Sequence, residues 1–230
     1  MARDEALMAA VGARESPPTL RLYEWDPPTI SLGYFQKYAE YESLAPPARD
    51  LAVVRRPTGG GAILHDLELT YSIALPVDHE LLSRGATRLY ELAHDAVVAA
   101  LRPLRVAADR CGVTDDSGPT RGPFFCFERR HCLDVLLDQE KLAGSAQRRT
   151  RHSVLQHGSI VLGNRFAQQR AAAVAAPFQE AIAHLRSAFP VEFSRVTGLT
   201  AEPGSWTSSE LAAAESLVAK YAGEEWTRRL

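Results

Sequence analysis

Between residues 132 and 162 the chain carries three strand-like segments almost back to back: CLDVLLD (132–138), EKLAGSAQRR (140–149) and SVLQHGSIVL (153–162). Strands this close commit the region to a sheet and leave little freedom in how the rest can pack. Upstream, LAVVRR (51–56) is a short apolar run, and LELTYSIALP (67–76) alternates before turning apolar throughout, as a strand with one well-buried end would. TLRLYEW (19–25) and TISLGYF (29–35), split by Asp26-Pro27-Pro28, read as a β-hairpin. Residues 86–102 place Leu89, Leu92, Ala93, Ala96, Val97, Ala100 and Leu101 at the spacing of an amphipathic helix, and ARDEALMAAVGA at the start is a shorter one. The glycine- and proline-rich stretch 109–123 reads as a loop. From residue 165 helical patterns dominate, ending in SSELAAAESLVAKYAGEEW with Ser208 or Ser209 as cap.

No repeat and no linker interrupts this order, and 230 residues at 46% hydrophobic content can bury a core of their own. The expectation is one α+β domain spanning 1–230, with a core over about 4–195 and a helical tail over 196–230. No apolar run approaches the ~18 residues of a membrane span. A net charge of −2 argues against a chain that lives on nucleic-acid phosphates. Three cysteines, Cys111, Cys126 and Cys132, are too few and too odd in number for a disulfide framework. The N-terminus has an acid pair where a signal peptide carries positive charge, so the protein is expected in the cytoplasm.

Of the 26 basic residues only Lys37, Lys141 and Lys220 are lysine; the rest are arginine. A lysine kept against that bias suggests a site that needs an amine able to lose its proton. Lys141 stands three residues before Gly144-Ser145-Ala146, small residues in a strand that make room for something else. LQHGSIVL repeats the device with His157 and Gly158. In RRPTGGGAILHD (55–66), Gly59, Gly60 and Gly61 are flanked by Arg55, Arg56 and His65. Consecutive glycines let a backbone approach a ligand closely, although they also suit a plain hairpin turn, and no Gly-Lys-Ser/Thr follows to make a phosphate loop. Cys132 opens an apolar strand and reads as a buried small hydrophobe. The spacing of Cys126, His131 and Cys132 is not a recognised metal pattern, so no metal is expected.

Taken together these segments resemble the biotin and lipoate protein ligase catalytic-domain family in its lipoate branch, whose motifs read RRxxGGGxxxHD, KxxGSAQ and HGS in this order. YEWDPPTISLGYFQK (23–37) is similar to the family's upstream hairpin. The resemblance covers residues 4–162, with a weaker match at YAGEEW. It implies a mixed, largely antiparallel β-sheet flanked by helices. Cys126, in GPFFCFERRH, looks like the nucleophile of the LipM-type octanoyltransferases, and HDLELTYS is similar to the same subgroup. The chain begins inside what resembles the family's first helix, so the strand before it is expected to be absent, as is the accessory domain of one-chain ligases. Gly61 stands where LipM-type enzymes often have arginine.

The resemblance implies an octanoyltransferase that moves octanoyl from acyl carrier protein, through a Cys126 thioester, to a lysine of a lipoyl domain or glycine cleavage H protein. Cys126 and Lys141 would be catalytic. Arg55, Arg56, Gly59, Gly60, Gly61, His65, Gly144, Ser145, Ala146, Gln147, His157, Gly158 and Ser159 would bind substrate. No cofactor is implied, and the enzyme is expected to be a monomer. A free thiol has a pKa near 8.5 and must be activated; an ammonium ~4 Å away, at an effective dielectric of ~20, favours the thiolate by up to roughly 4 kcal/mol. The alternative is an ATP-dependent lipoate ligase, with or without a separate accessory subunit; a non-catalytic binding module is the third. Charge distribution adds one expectation: Arg129 and Arg130 beyond Cys126, and Arg148, Arg149 and Arg151 beyond Lys141, would dock an acidic carrier protein.

Overall fold

Links of one to three residues cannot carry a parallel crossover, so the strands around residues 135–161 can only zigzag. The computed structural model, which describes residues 1–112 and 122–230, shows this. Strands β1 (Thr19–Tyr23), β5 (Glu68–Pro76), β6 (Asp109–Arg110), β7 (Val135–Leu137), β8 (Glu140–Arg149) and β9 (Ser153–Val161) form a sheet in the order β1-β5-β9-β8-β7-β6. Every neighbouring pair in it is antiparallel. A small second sheet, β3-β2-β4, is built from β2 (Thr29–Leu32), β3 (Ala52–Arg55) and β4 (Ile63–His65), with β2 parallel to β3 and antiparallel to β4. The expected mixed, largely antiparallel arrangement is present.

The period of two explains where the core lies. In β5, Leu69, Tyr71, Ile73 and Leu75 enter one cluster with Leu89, Ala93, Ala96 and Val97 of α3 (Arg88–Leu101) and Ile182, Leu185 and Phe189 of α4 (Phe178–Thr197). The intervening Ala74 faces the other way, packing with Leu7 and Val11 of α1 (Ala2–Gly12). One face of the large sheet is therefore sealed by helices, while the other meets α1 and the small sheet.

The expected 19–35 hairpin does not form. β1 pairs along its length with β5, from Thr19 opposite Ala74 to Tyr23 opposite Thr70, whereas β2 crosses into the small sheet. All four residues of β2 are buried, and that burial needs neighbours on both edges, which β3 and β4 provide and β1 could not. Helices also start later than expected: residues 163–177 hold no regular element, and α4 is followed by α5 (Ser208–Ala222) and α6 (Glu224–Thr227). Thr207, rather than Ser208 or Ser209, caps α5, in a capping box with Glu210. A short helix α2 (Tyr38–Glu42) completes the set. The loop expected over 109–123 is wrong at its start, where Asp109–Arg110 form β6 against β7, and its part at 113–121 lies outside the described residues. No described helix is long and apolar enough to cross a membrane.

Candidate active site

Where the two sheets meet, a largely apolar cavity of about 470 Å³, its mouth included, is bordered by Gly60, Cys126, Phe127, Ala146, His157 and Ser159 among others. That lining, apolar with a few polar groups, is of the kind that receives a small organic ligand.

Cys126 opens a single turn of 3₁₀ helix, Cys126–Glu128. Its N–H donates to Ala62 O at 2.7 Å, and Ala62 N–H donates to Phe124 O at 2.9 Å, so the thiol is fastened to the chain leaving the glycine loop. Lys141 reaches it from β8 through a break in alternation. Val135 is opposite Ala143 but Leu136 is opposite Lys141, a register shift that leaves Leu142 as an extra residue. Leu142 fills the helix-side core, and Lys141 is turned to the cavity face instead. Its Nζ lies 3.7 Å from Cys126 Sγ and 3.4 Å from Cys126 O. On its other side Nζ meets Asp134 Oδ2 at 2.9 Å, with both side chains about 95% buried. Burial drives the Lys141 pKa down, but Cys126 and Asp134 outweigh it and hold the pKa above its ordinary value.

Gly144 explains why the small-residue signal accompanies this lysine. A β-carbon there would lie 2.4 Å from Lys141 Cε and 2.8 Å from Nζ. Gly144→Ala is therefore expected to push the flexible end of Lys141 away from Cys126. Turnover should fall about 10²-fold through misplacement, with the melting temperature little changed. Single-turnover kinetics beside thermal denaturation check this, and an active Gly144→Ala would mean that the Lys141 position is not critical.

The glycine loop is braced from beneath by Arg56, which is buried and donates to Ser31 O at 2.8 Å, Gly59 O at 2.7 Å and Gly61 O at 2.6 Å. Burial lowers its pKa to about 10, which leaves it a cation at neutral pH. Gly60 has φ of +92°, and a β-carbon on Gly33 would lie 1.9 Å from Gly60 O, so this crossing tolerates glycine only. The space over Gly61, where the resemblance expected arginine, is filled by another arginine: a β-carbon there would be 3.0 Å from Arg129 Cζ.

Two histidines border the cavity. His65 stacks on Trp25 at 4.1 Å, with Nε2 2.8 Å from Ser31 Oγ and Nδ1 3.1 Å from Glu68 Oε1. His157 Nε2 is 2.5 Å from Thr58 Oγ1, and its Nδ1 is 3.7 Å from Asp4 Oδ2. Burial lowers the His157 pKa against the opposing pull of Asp4. Burial also works against the Asp4 carboxylate, but Arg21 at 2.6 Å and the contact with His157 hold its pKa well below the usual range.

Other expected binders engage groups elsewhere, although Ser145 and Gly158 still border the cavity. The Ser145 hydroxyl engages Tyr71 OH, and His94 Nε2 at 2.6 Å, on the helix side of the sheet. Gly158 makes room for Tyr71, whose phenol a β-carbon would meet at 2.5–2.6 Å. Gln147 bonds to Gln156 at 2.8 Å and Ala86 O at 3.1 Å. Arg55 is buried and ties α6 to the segment after β2, donating to Gln36 O at 2.7 Å and Thr227 O at 2.7 Å. The basic residues split as well: Arg129 and Arg148 adjoin the glycine loop, Arg148 donating to Pro57 O at 3.1 Å. Arg149 reaches back to Ala86 O at 3.4 Å, Arg130 to Gln139 O, and Arg151 is exposed in the turn after β8.

Sequence reasoning missed Asp134, Glu68 and His94. Each is a polar residue inside an otherwise apolar strand or helix pattern, as in CLDVLLD, and that mismatch was the available signal. Burial pushes the His94 pKa down to about 4 from 6.5. The unfolded chain therefore binds a proton that the native state refuses, so stability is full above about pH 6.5 and falls as pH drops towards 4. The cost from His94 is about 2 kcal/mol by pH 5. Urea denaturation at pH 7 and pH 5 should show it, with a flatter dependence in His94→Gln; equal slopes would remove His94 as the cause.

A thiol and a buried ammonium facing each other beside a small apolar cavity are the parts of an enzyme site for nucleophilic, covalent catalysis. The chain belongs to the lipoyl protein ligase A/B catalytic domain family, whose model matches residues 1–215. It is 39% identical to Octanoyltransferase LipM of Kyrpidia tusciae, over all of this chain and 93% of that protein. It is 36% identical to Octanoyltransferase LipM of Symbiobacterium thermophilum, over the same shares of each. A crystal structure of lipoate-protein ligase A bound with ATP shares the fold with a TM-score of 0.73 at 23% identity, over 99% of this chain and 94% of that one. A bipartite lipoate protein ligase from Thermoplasma acidophilum follows at TM-score 0.67 and 22% identity, over 98% and 91%.

Proposed function

We propose that the protein is an octanoyltransferase of protein lipoylation, an acyltransferase that carries the acyl group as a thioester on Cys126. The observation that carries this reading is Cys126 Sγ, on the cavity wall, 3.7 Å from the buried Lys141 Nζ. Full-length similarity to proteins named as octanoyltransferases supports it.

In the first half-reaction the Cys126 thiolate, paired with the Lys141 ammonium, attacks the carbonyl carbon of an octanoyl thioester on acyl carrier protein. A new C–S bond forms and the old one breaks. The departing carrier thiolate takes the proton of Lys141, so Lys141 is left neutral beside an acylated Cys126. One thioester replaces another, so the step needs no nucleotide. In the second, the amine of a lysine on a lipoyl domain or glycine cleavage H protein attacks that thioester. A C–N bond forms, Cys126 leaves as thiolate, and Lys141 takes the proton the amine must shed. The pair returns to its starting charges.

Intact-mass analysis after mixing with octanoyl carrier protein, without nucleotide, tests this directly. A hydroxylamine-labile octanoyl adduct is expected. A protein that stays unmodified there and labels its acceptor only with ATP and free acid is a ligase; one that never transfers an acyl group is a binding module. Donor docking is expected to be uneven, given where the arginines lie. Arg148→Glu should raise the KM for octanoyl carrier protein several-fold and weaken its salt dependence, whereas Arg149→Glu should do little. Equal effects would detach docking from the loop rim.

A further inference from the structure

Lys141 faces two anions of different permanence. Cys126 Sγ, 3.7 Å from Nζ, can carry negative charge only until it is acylated. Asp134 Oδ2, 2.9 Å away, belongs to a carboxylate that the transfer does not consume and is itself held by the His131 N–H at 2.8 Å. Among the described residues, the other groups around this pair offer no replacement negative charge. The Phe127 ring lies 5.6 Å from Nζ, and His94, whose Nδ1 bonds to Leu133 O next to Asp134, is kept neutral by burial. Arg56 faces Cys126 from the glycine loop and is already engaged with three carbonyls.

We infer that Asp134 is a positioning residue for the transfer: it aims Lys141 Nζ at Cys126 and, once the thiol is acylated, is the remaining counter-ion that governs how readily Lys141 gives up its proton. The inference rests on the acyl-enzyme reading above. Before acylation, two anions around a buried amine favour the ammonium that the first attack requires. Acylation replaces one anion with a neutral thioester, so burial regains weight against the charge. Lys141 can then remain neutral long enough to act as a base, and this is the state the second half-reaction needs. Asp134 tempers the change and keeps the amine pointed at the thioester.

The test separates the half-reactions. Wild type, Asp134→Asn and Asp134→Glu are each loaded with octanoyl carrier protein and checked by intact mass. Transfer from the preformed acyl-enzyme to a lipoyl domain is then followed in single turnovers across pH. Removing an anion beside an ammonium makes its proton easier to lose. The rising limb of the transfer profile should therefore move to lower pH by about one to three units in Asp134→Asn. Its plateau should fall at least about tenfold as Nζ loses its anchor. Asp134→Glu keeps the charge on a longer arm, so its limb should stay near the wild-type pH with a reduced plateau. A wild type that gains no octanoyl adduct sinks the acyl-enzyme reading and this inference with it. Normal loading with an unmoved limb in Asp134→Asn overturns the role of Asp134 alone. Should Asp134→Asn fail to fold, a wild-type plateau in Asp134→Glu overturns the positioning.

Discussion

Cys126→Ala is expected to eliminate the octanoyl adduct and to lower overall transfer by at least about 10³-fold, the scale on which enzymes lose rate when the covalent nucleophile is removed. The other cysteines cannot stand in. Cys132 is an exposed-side neighbour of His131, 3.8 Å from its Nδ1, and Cys111 is joined through its backbone to Asp134 O at the far strands of the sheet. Cys111→Ala and Cys132→Ala are expected to load and transfer normally. Intact mass with and without hydroxylamine reads all three variants, and a labile adduct surviving in Cys126→Ala would place the nucleophile elsewhere.

Lys141→Arg is expected to be nearly as inactive as Lys141→Ala in complete turnover, each losing about 10²- to 10⁴-fold, the range attributed to a positioned acid or base. A guanidinium can attract a thiolate but does not release a proton near neutral pH, so it can neither protonate the departing carrier thiolate nor relieve the incoming amine. Geometry works against it too. Arginine is the better bidentate partner for Asp134 and needs more room than the space cleared by Gly144 allows. Single-turnover loading and transfer, measured separately, decide the matter. Wild-type transfer by Lys141→Arg would reduce Lys141 to a purely electrostatic part.

Much of the architecture was legible because it depends on local pattern. The helix over 86–102 shows in its periodic leucines, valines and alanines, and the 132–162 strands show in short apolar segments that burial then satisfies against α3 and α4. The 19–35 region misled because Asp26-Pro27-Pro28 marks a change of direction without saying whether the next strand turns back or crosses to another sheet. Only the partners of β2, on both its edges, decide that.

The site divides in the same way. Residue type and order drew attention to the rare Lys141 and to the glycines, because a proton-releasing amine and a close backbone approach each need particular residues, whereas Cys126 stood out from the other cysteines only through its resemblance to the LipM-type nucleophile. Their orientation was beyond the reach of pattern. A regular strand would put Lys141 on the face of Ala143 and Ser145, towards the helices. The extra residue Leu142 reverses this, so Lys141 reaches Cys126 while the Ser145 hydroxyl is left to His94 and Tyr71. Asp134 was equally hidden, since an acid among leucines shows that a partner must exist but not which one. Chemical identity is carried by the chain, whereas the face on which a side chain emerges, and the charge it meets there, depend on pairing between strands and so on the tertiary structure.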